Sequence, residues 1–260
     1  MPRLDLSIDG AVATVTITNP AKRNAMTVGM WRALPSLLDR LAADAAVRVV
    51  VLTGAGDHFC AGADLADLTE LRDNGGGSLT TVAEGHLAAF PKPTIARISG
   101  YCVGGGCQLA VACDLRFAAA GALIGVPPAK LGIVYPAATT RRLVELVGPS
   151  AAKFLLFSAD PVDAARAAAM GLVDEVVPDD ALAERVAGFA ATVASRSQLT
   201  IAAAKEIVAM AVRGDLDADR GTDRLAYWHR QAADGPDAAE GVAAFAERRP
   251  AAFTWRWETA

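Results

Sequence analysis

Thr94-Ile95-Ala96-Arg97-Ile98-Ser99-Gly100-Tyr101-Cys102-Val103-Gly104-Gly105-Gly106-Cys107 is the stretch on which the fold turns. Thr94 to Ser99 is a short, mostly apolar run closed by Gly100, as expected of a strand covered on both faces. Gly104, Gly105 and Gly106 then open a helical run from Cys107 to Cys113. Upstream, Val47 to Thr53 repeats the strand pattern and is closed by Gly54. Between the hairpin and that strand, Thr27 is placed as an N-cap. Met30, Leu34, Leu37, Leu38 and Leu41 recur at helical spacing after it, up to Ala45. Strands separated by helices imply parallel crossovers and an α/β class. The chain begins with a hairpin: Leu4, Leu6 and Ile8 share one face, Asp9-Gly10 turns, and Ala13, Val15 and Ile17 share the next.

The 260 residues suffice for one large domain with an appended subdomain. Hydrophobic residues make up 53% and charged ones 21%, which excludes a disordered chain. Lys and Arg total 25 against 29 Asp and Glu, a net charge of −4, so no global basic footprint for nucleic acid exists. No run of eighteen apolar residues escapes charge or Gly/Pro interruption, and no signal-peptide succession opens the chain; the expectation is a soluble cytoplasmic protein without membrane partners. Cys60, Cys102, Cys107 and Cys113 lack the paired spacing of zinc ligands and read as reduced and buried, with no metal site. Asp73-Asn74-Gly75-Gly76-Gly77-Ser78 reads as a mobile loop near a pocket. After about Pro178 the pattern is helical, with Ala181 to Ser195, Leu199 to Val212, Asp217 to Ala233 and Asp237 to Glu247, and no strand follows Val177. This divides the chain into a core, 1–195, and a helical C-terminal subdomain, 196–260, whose apolar surface needs cover from its own core or another subunit.

Two glycine-bearing segments carry the chemistry. Phe59-Cys60-Ala61-Gly62-Ala63-Asp64 follows one strand, and Gly104-Gly105-Gly106 follows another. Small residues at both let backbone N–H groups approach a ligand, and two such donors at helix starts can form an oxyanion hole. Read from the residues alone, the same glycines more readily serve as turn or close-packing positions.

Asn19-Pro20-Ala21-Lys22-Arg23-Asn24-Ala25-Met26, Phe59 to Asp64, Gly100 to Cys107, and Glu240-Gly241-Val242-Ala243-Ala244-Phe245-Ala246-Glu247-Arg248-Arg249-Pro250 follow one another in an order that resembles the crotonase (enoyl-CoA hydratase/isomerase) superfamily. The resemblance spans nearly the whole chain. It implies a spiral of ββα units, a helical C-terminal region that trimerises, and an acyl-CoA thioester substrate, with coenzyme A entering only as part of that substrate and no permanently bound cofactor. It further implies a homotrimer or a dimer of trimers. By position, the N–H groups of Ala63 and Gly105 would hold the thioester oxygen. Lys22, Arg23, Ala25, Ala61, Asp64 and Leu65 fall where the family holds the CoA moiety. Phe245 and Arg248 match positions that reach a neighbouring subunit's CoA, although the family often has Lys where Arg248 stands.

One departure matters more than these agreements. Hydratases that the chain resembles carry a glutamate two residues after the glycine triplet and another twenty residues further on; here Gln108 and Pro128 occupy those positions. An amide has no carboxylate to accept a proton and proline has no side-chain functional group, so two-glutamate hydration is expected to be absent or very slow. Leu131-Gly132-Ile133-Val134-Tyr135 resembles the methylmalonyl-CoA decarboxylase branch, in which the tyrosine sits near the reacting carboxylate. Decarboxylation starts without a general base, and Tyr135 would orient the carboxylate or return the proton. Tyr135 also reads as a partly buried aromatic. His58 and His86 are weighed as acid/base groups and more readily serve as packing or surface residues. Asp64 caps or orders its loop, Glu145 is structural, Asp114 anchors backbone, and Cys107 is inert packing. Three readings follow: a lyase or related acyl-CoA enzyme working through an enolate, a hydratase or isomerase using another acid/base group, and a catalytically silent acyl-CoA-binding subunit.

Overall fold

A computed structural model of the chain describes residues 1–67, 70 and 78–257. Strands β1 (Arg3–Asp9) and β2 (Val12–Thr18) form the expected antiparallel hairpin, with Gly10 at a positive φ of 55° in the turn. Helix α1 (Val28–Ala43) begins at Thr27, whose hydroxyl accepts from Met30 N, and ends two residues before Ala45 because Asp44 turns extended. Strand β3 (Val49–Gly54) lies parallel to β2, and Val49 to Gly54 are all buried. Helix α2 (Leu79–Ala88) leads to β4 (Thr94–Ile98), parallel to β3.

From β4 onward the strands come in pairs. β4 is followed by β5 (Tyr101–Val103), which leaves the first sheet and joins a second one. Helix α3 (Gly105–Ala112), β6 (Leu115–Ala119) and β7 (Leu123–Gly125) repeat the pattern, with β6 in the large sheet and β7 in the small. A short helix α4 (Pro128–Leu131) precedes α5 (Ala137–Ser158), which breaks where Gly148 takes φ 75° before Pro149. Then come β8 (Val162–Asp163), α6 (Ala164–Ala169) and β9 (Glu175–Val177). The large sheet runs β1-β2-β3-β4-β6-β9 and the small one β5-β7-β8. The second sheet was not anticipated from the sequence, because Tyr101 to Val103 is too short to read as a strand apart from the run before it.

The near-continuous apolar strands have cover on both faces. Helix α7 (Leu182–Ser195) lays Leu182, Val186, Ala190 and Ala194 against Val49, Val51, Ile95 and Phe117. On the other face, Val50, Leu52 and Ala96 join the main core with Trp31, Leu34 and Leu38 of α1, Leu87 of α2 and Leu109 of α3. Three helices close the chain, α8 (Gln198–Arg213), α9 (Asp219–Asp234) and α10 (Asp237–Glu247), and no strand follows β9 among the described residues. They gather a separate small cluster around Leu199, Ala202 and Trp228. Val208, Val212, Val242 and Phe245 remain exposed on them. Residues 73–77 of the loop expected near a pocket lie outside the described residues; Ser78 caps α2, accepting from Thr81 N.

Candidate active site

The two glycine segments meet. Cys60 bridges Cys102 as a short parallel pairing, with Cys60 N donating to Tyr101 O at 2.9 Å and Val103 N to Cys60 O at 2.9 Å. Packing this close requires glycine at 106: a Cβ there would stand 2.2 Å from Cys60 O. Gly104, the residue before α3, has φ 60° and donates its N–H to Gly125 O. A Cβ built on Gly62 would lie 3.3 Å from Gly105 N, and one on Gly105 would lie 3.5 Å from Ala63 N. Ala63 N and Gly105 N therefore sit side by side, and neither has an acceptor among the described residues. Gly105 opens α3, so the positive end of the helix adds to its N–H. Two free, preorganised donors at one point can hold a developing oxyanion.

The Asn19 to Met26 segment is laced to the same loop. Ala61 N donates to Arg23 O, Met26 N to Gly62 O and Asp64 N to Met26 O. Buried Asn24 holds the turn, donating from Nδ2 to Ala55 O at 2.8 Å and His58 O at 2.6 Å. Lys22, Arg23, Ala25, Ala61 and Asp64 are thereby brought together with the backbone of Leu65. Lys22 Nζ reaches Asp64 Oδ2 at 2.6 Å, and this hydrogen bond holds the Asp64 carboxyl below its ordinary range. Arg23 lies over the Tyr101 ring at 4.5 Å. Phe245 and Arg248 are not brought to this loop: both are exposed at the end of α10, a helix that packs on α9.

Tyr135 and Gln108 meet on the other side. The Tyr135 hydroxyl would be 3.8 Å from a Cβ on Gly104, which places it beside the donor pair. Burial, with Cys107 and Glu84 nearby, pushes the phenol upward, so it stays a protonated donor at neutral pH. Tyr135, Gln108, Val126 and Thr139 line one small cavity of about 10 Å³. Pro128, buried, is the first residue of α4. A larger groove of about 500 Å³ runs between β1 and α1, lined by Leu4, Leu6, Met30 and Leu37, and holds none of these groups.

Most of the secondary candidates are structural. His58 Nδ1 accepts from Tyr101 N at 3.3 Å, and exposed His86 bonds Val82 O on its own helix. Asp114 accepts from Thr94 N and Lys205 Nζ, both at 2.7 Å, and Glu145 faces Arg141 one helical turn away. All four cysteines are free and buried; burial pushes the Cys60 and Cys113 thiols up to about 12, which removes them as nucleophiles.

Three residues not singled out in the sequence stand at the site. Trp31 packs its ring against Gly105, 3.0 Å from a Cβ built there. Thr139, at the start of α5, is buried and donates its hydroxyl to Glu84 Oε2 at 2.6 Å. Glu84, on α2, is 1% exposed. Its burial raises the carboxyl from 4.5 to about 7, against the opposing pull of the Thr139 hydrogen bond and Arg142. The one available signal was a lone acid among the apolar and small residues of Val82-Ala83-Glu84-Gly85.

The family model described as enoyl-CoA hydratase/isomerase matches residues 7–256. A probable enoyl-CoA hydratase of Bacillus subtilis (strain 168) is 36% identical over 97% of this chain and 99% of its own. The 2,3-dehydroadipyl-CoA hydratase of Escherichia coli (strain K12) is 34% identical over 98% of this chain and 100% of its own. Among solved structures, an enoyl-CoA hydratase/isomerase family member superposes with a TM-score of 0.93 at 37% identity, covering 99% of this chain and 100% of that one.

Proposed function

We propose a function from one premise, that the chain belongs to the enoyl-CoA hydratase/isomerase family and has the crotonase fold: it is an acyl-CoA enzyme that works by stabilising a thioester enolate. The observation that carries this reading is the pair of unpaired N–H groups at Ala63 and Gly105, side by side at the start of α3. As the enolate forms, negative charge grows on the thioester oxygen, and each preorganised donor lowers the barrier by ~3 kcal/mol. The CoA moiety lies along Lys22, Arg23, Ala25, Ala61, Asp64 and Leu65. Phe245 and Arg248 complete it across a subunit boundary in a trimer or a dimer of trimers.

The reaction we favour is a decarboxylase-type lyase. Gln108 and Pro128 offer no carboxylate that would repel an anionic acyl group, and the Tyr135 hydroxyl stands beside Gly104, where it can orient a leaving carboxylate. A second reading, water addition with a different acid/base group, is favoured by the activities named for the relatives, both hydratases. The test is a mass-spectrometric screen of the purified protein with crotonyl-CoA, longer 2-enoyl-CoAs, methylmalonyl-CoA and ethylmalonyl-CoA. Loss of carbon dioxide that depends on Gly105 and Tyr135 supports the lyase. Rapid water addition replaces it with the second reading. Coenzyme A binding without turnover of any of them shifts the reading to an acyl-CoA outside this set or to a silent subunit.

A further inference from the structure

Beside the oxyanion hole and the phenol, Gln108 and Pro128 supply no group that exchanges a proton near neutral pH. A carboxyl stands behind them. Glu84 Oε2 accepts the Thr139 hydroxyl at 2.6 Å, and Thr139 lines the cavity it shares with Gln108 and Tyr135. Tyr135 in turn reaches from that cavity to Gly104. The hydrogen bond from Thr139 to Glu84 and the cavity that Thr139 shares with Tyr135 thus link α2, the start of α5 and the residue before Gly105.

A purely structural carboxylate in this position would be paired. Glu84 Oε1 is buried with no hydrogen-bond partner among the described residues. The nearest cation, Arg142 Nη1, stands 3.7 Å from Oε2, and it too is buried without a hydrogen bond. Such a geometry leaves much of the desolvation cost of an ionised carboxylate uncompensated, and a stabilising role would call for a closer pair. Among the described residues the other groups around Glu84 hold no second carboxylate: Tyr135 precedes α5, Cys107 lies on α3, His86 is exposed on α2 itself, and the buried residues of α1 carry no titratable side chain.

We propose that Glu84, acting through the Thr139 hydroxyl, is the acid and base that Gln108 and Pro128 do not provide. The proposal rests on the enolate reading above. In the forward step the α-carbon's C–H bond breaks and its proton goes to Thr139 Oγ1, while the hydroxyl proton of Thr139 passes along the existing hydrogen bond to Glu84 Oε2. The electron pair enters the thioester as an enolate held by Ala63 and Gly105 N–H. Reprotonation of the carbon runs the same line in reverse, and in a decarboxylation only that reverse half is used. Glu84 touches no substrate and is a positioning residue for the proton; Thr139 is the group that meets the carbon.

The test uses the full-length protein and a probe that requires only enolate formation: exchange of the α-hydrogens of butyryl-CoA for deuterium in D2O, followed by mass spectrometry. Wild type is expected to exchange, with a rate at saturating butyryl-CoA that rises with pH and levels off above about 7, where Glu84 is ionised. Glu84→Gln, which still offers an oxygen to Thr139, is expected to slow exchange on the order of 100-fold, leave KM unchanged and flatten the pH profile. Thr139→Val is expected to match it, and Thr139→Ser to recover most of the rate. Exchange that keeps its rate and pH profile in Glu84→Gln, or a Thr139→Val protein as fast as wild type, overturns the relay alone. A wild type that binds butyryl-CoA and exchanges nothing overturns the relay, and the enolate reading falls with it only if methylmalonyl-CoA and ethylmalonyl-CoA also lose no carbon dioxide.

Discussion

On one wall of the candidate site the groups assigned to the proposed reaction belong to the main chain, Ala63 N and Gly105 N; on the other they are side chains, Tyr135, Thr139, Gln108 and Glu84, drawn from α2, α3, α5 and the loop before α5. The first wall is built by close approach. Cys60 and Cys102 bridge directly, and Gly106 admits Cys60 O where any Cβ would collide. Its electrostatics depend on backbone direction and a helix end, so the site can tolerate changed side chains around it and keep its donors. The second wall carries no such constraint. Its residue types decide which proton moves where, so it is the wall on which two proteins of one fold come to differ in reaction. In the function proposed above, Gln108 marks that difference on this wall.

The comparison breaks first at Gly106. Gly106→Val places carbon atoms against Cys60 O, with a Cβ only 2.2 Å away, and should destabilise the protein by ~3 kcal/mol, read as a lowered urea midpoint, with loss of both walls together. Gly105→Pro is the finer cut. Proline is compatible with the first turn of a helix but removes the N–H, so turnover should fall on the order of 100-fold while coenzyme A affinity by calorimetry stays near wild type. Because a Cβ at 105 also meets Trp31 Cζ2 at 3.0 Å, the Trp31→Phe, Gly105→Pro double variant separates crowding from the lost donor; it should stay slow.

The second wall is probed by pH. Glu84 titrates higher in the folded chain than when unfolded, about 7 against 4.5, so the fold favours its protonated form. Its contribution is therefore fully present below 4.5 and lost as pH rises through 7, up to about 3 kcal/mol. Thermal unfolding of wild type should lose stability over that interval, and Glu84→Gln should remove that part of the slope. A slope that persists unchanged in the variant would mean that another group carries it. At the rim the effect shrinks. Lys22 is half exposed, and Lys22→Ala should cost less than ~1 kcal/mol of stability even though Asp64 loses its partner at 2.6 Å. The same variant should weaken coenzyme A binding, measured by calorimetry.

The backbone wall was legible in the sequence. Apolar runs such as Val49 to Thr53 declare strands covered on both faces, the Gly104 to Gly106 triplet marks a backbone that something must approach, and α1 and α7 to α10 follow from 3.6-residue spacing within a residue or two of their ends. The two glycine-bearing segments were found from this order of strand, small residues and helix, and Ala63 and Gly105 were picked out within them through the resemblance. Tyr135 was found only through resemblance, and Glu84 and Thr139 were missed. Nothing local distinguishes Glu84: it lies 55 residues from Thr139, on a helix where one acid among apolar and small residues has no particular meaning.

By itself, the sequence determined the alternation of strand and helix, the helical end of the chain, and the places where side chains had to be absent. These are short-range properties, set by periodicity and by the room a Cβ needs. Tertiary structure alone decided that β5 leaves the main sheet, that Tyr135 meets Gly104, and that a carboxyl on α2 is buried against a hydroxyl on α5 with its cation held at 3.7 Å. Those outcomes depend on which distant segments pack together and on how much water that packing removes, and desolvation of a carboxyl acts only once the chain has closed around it.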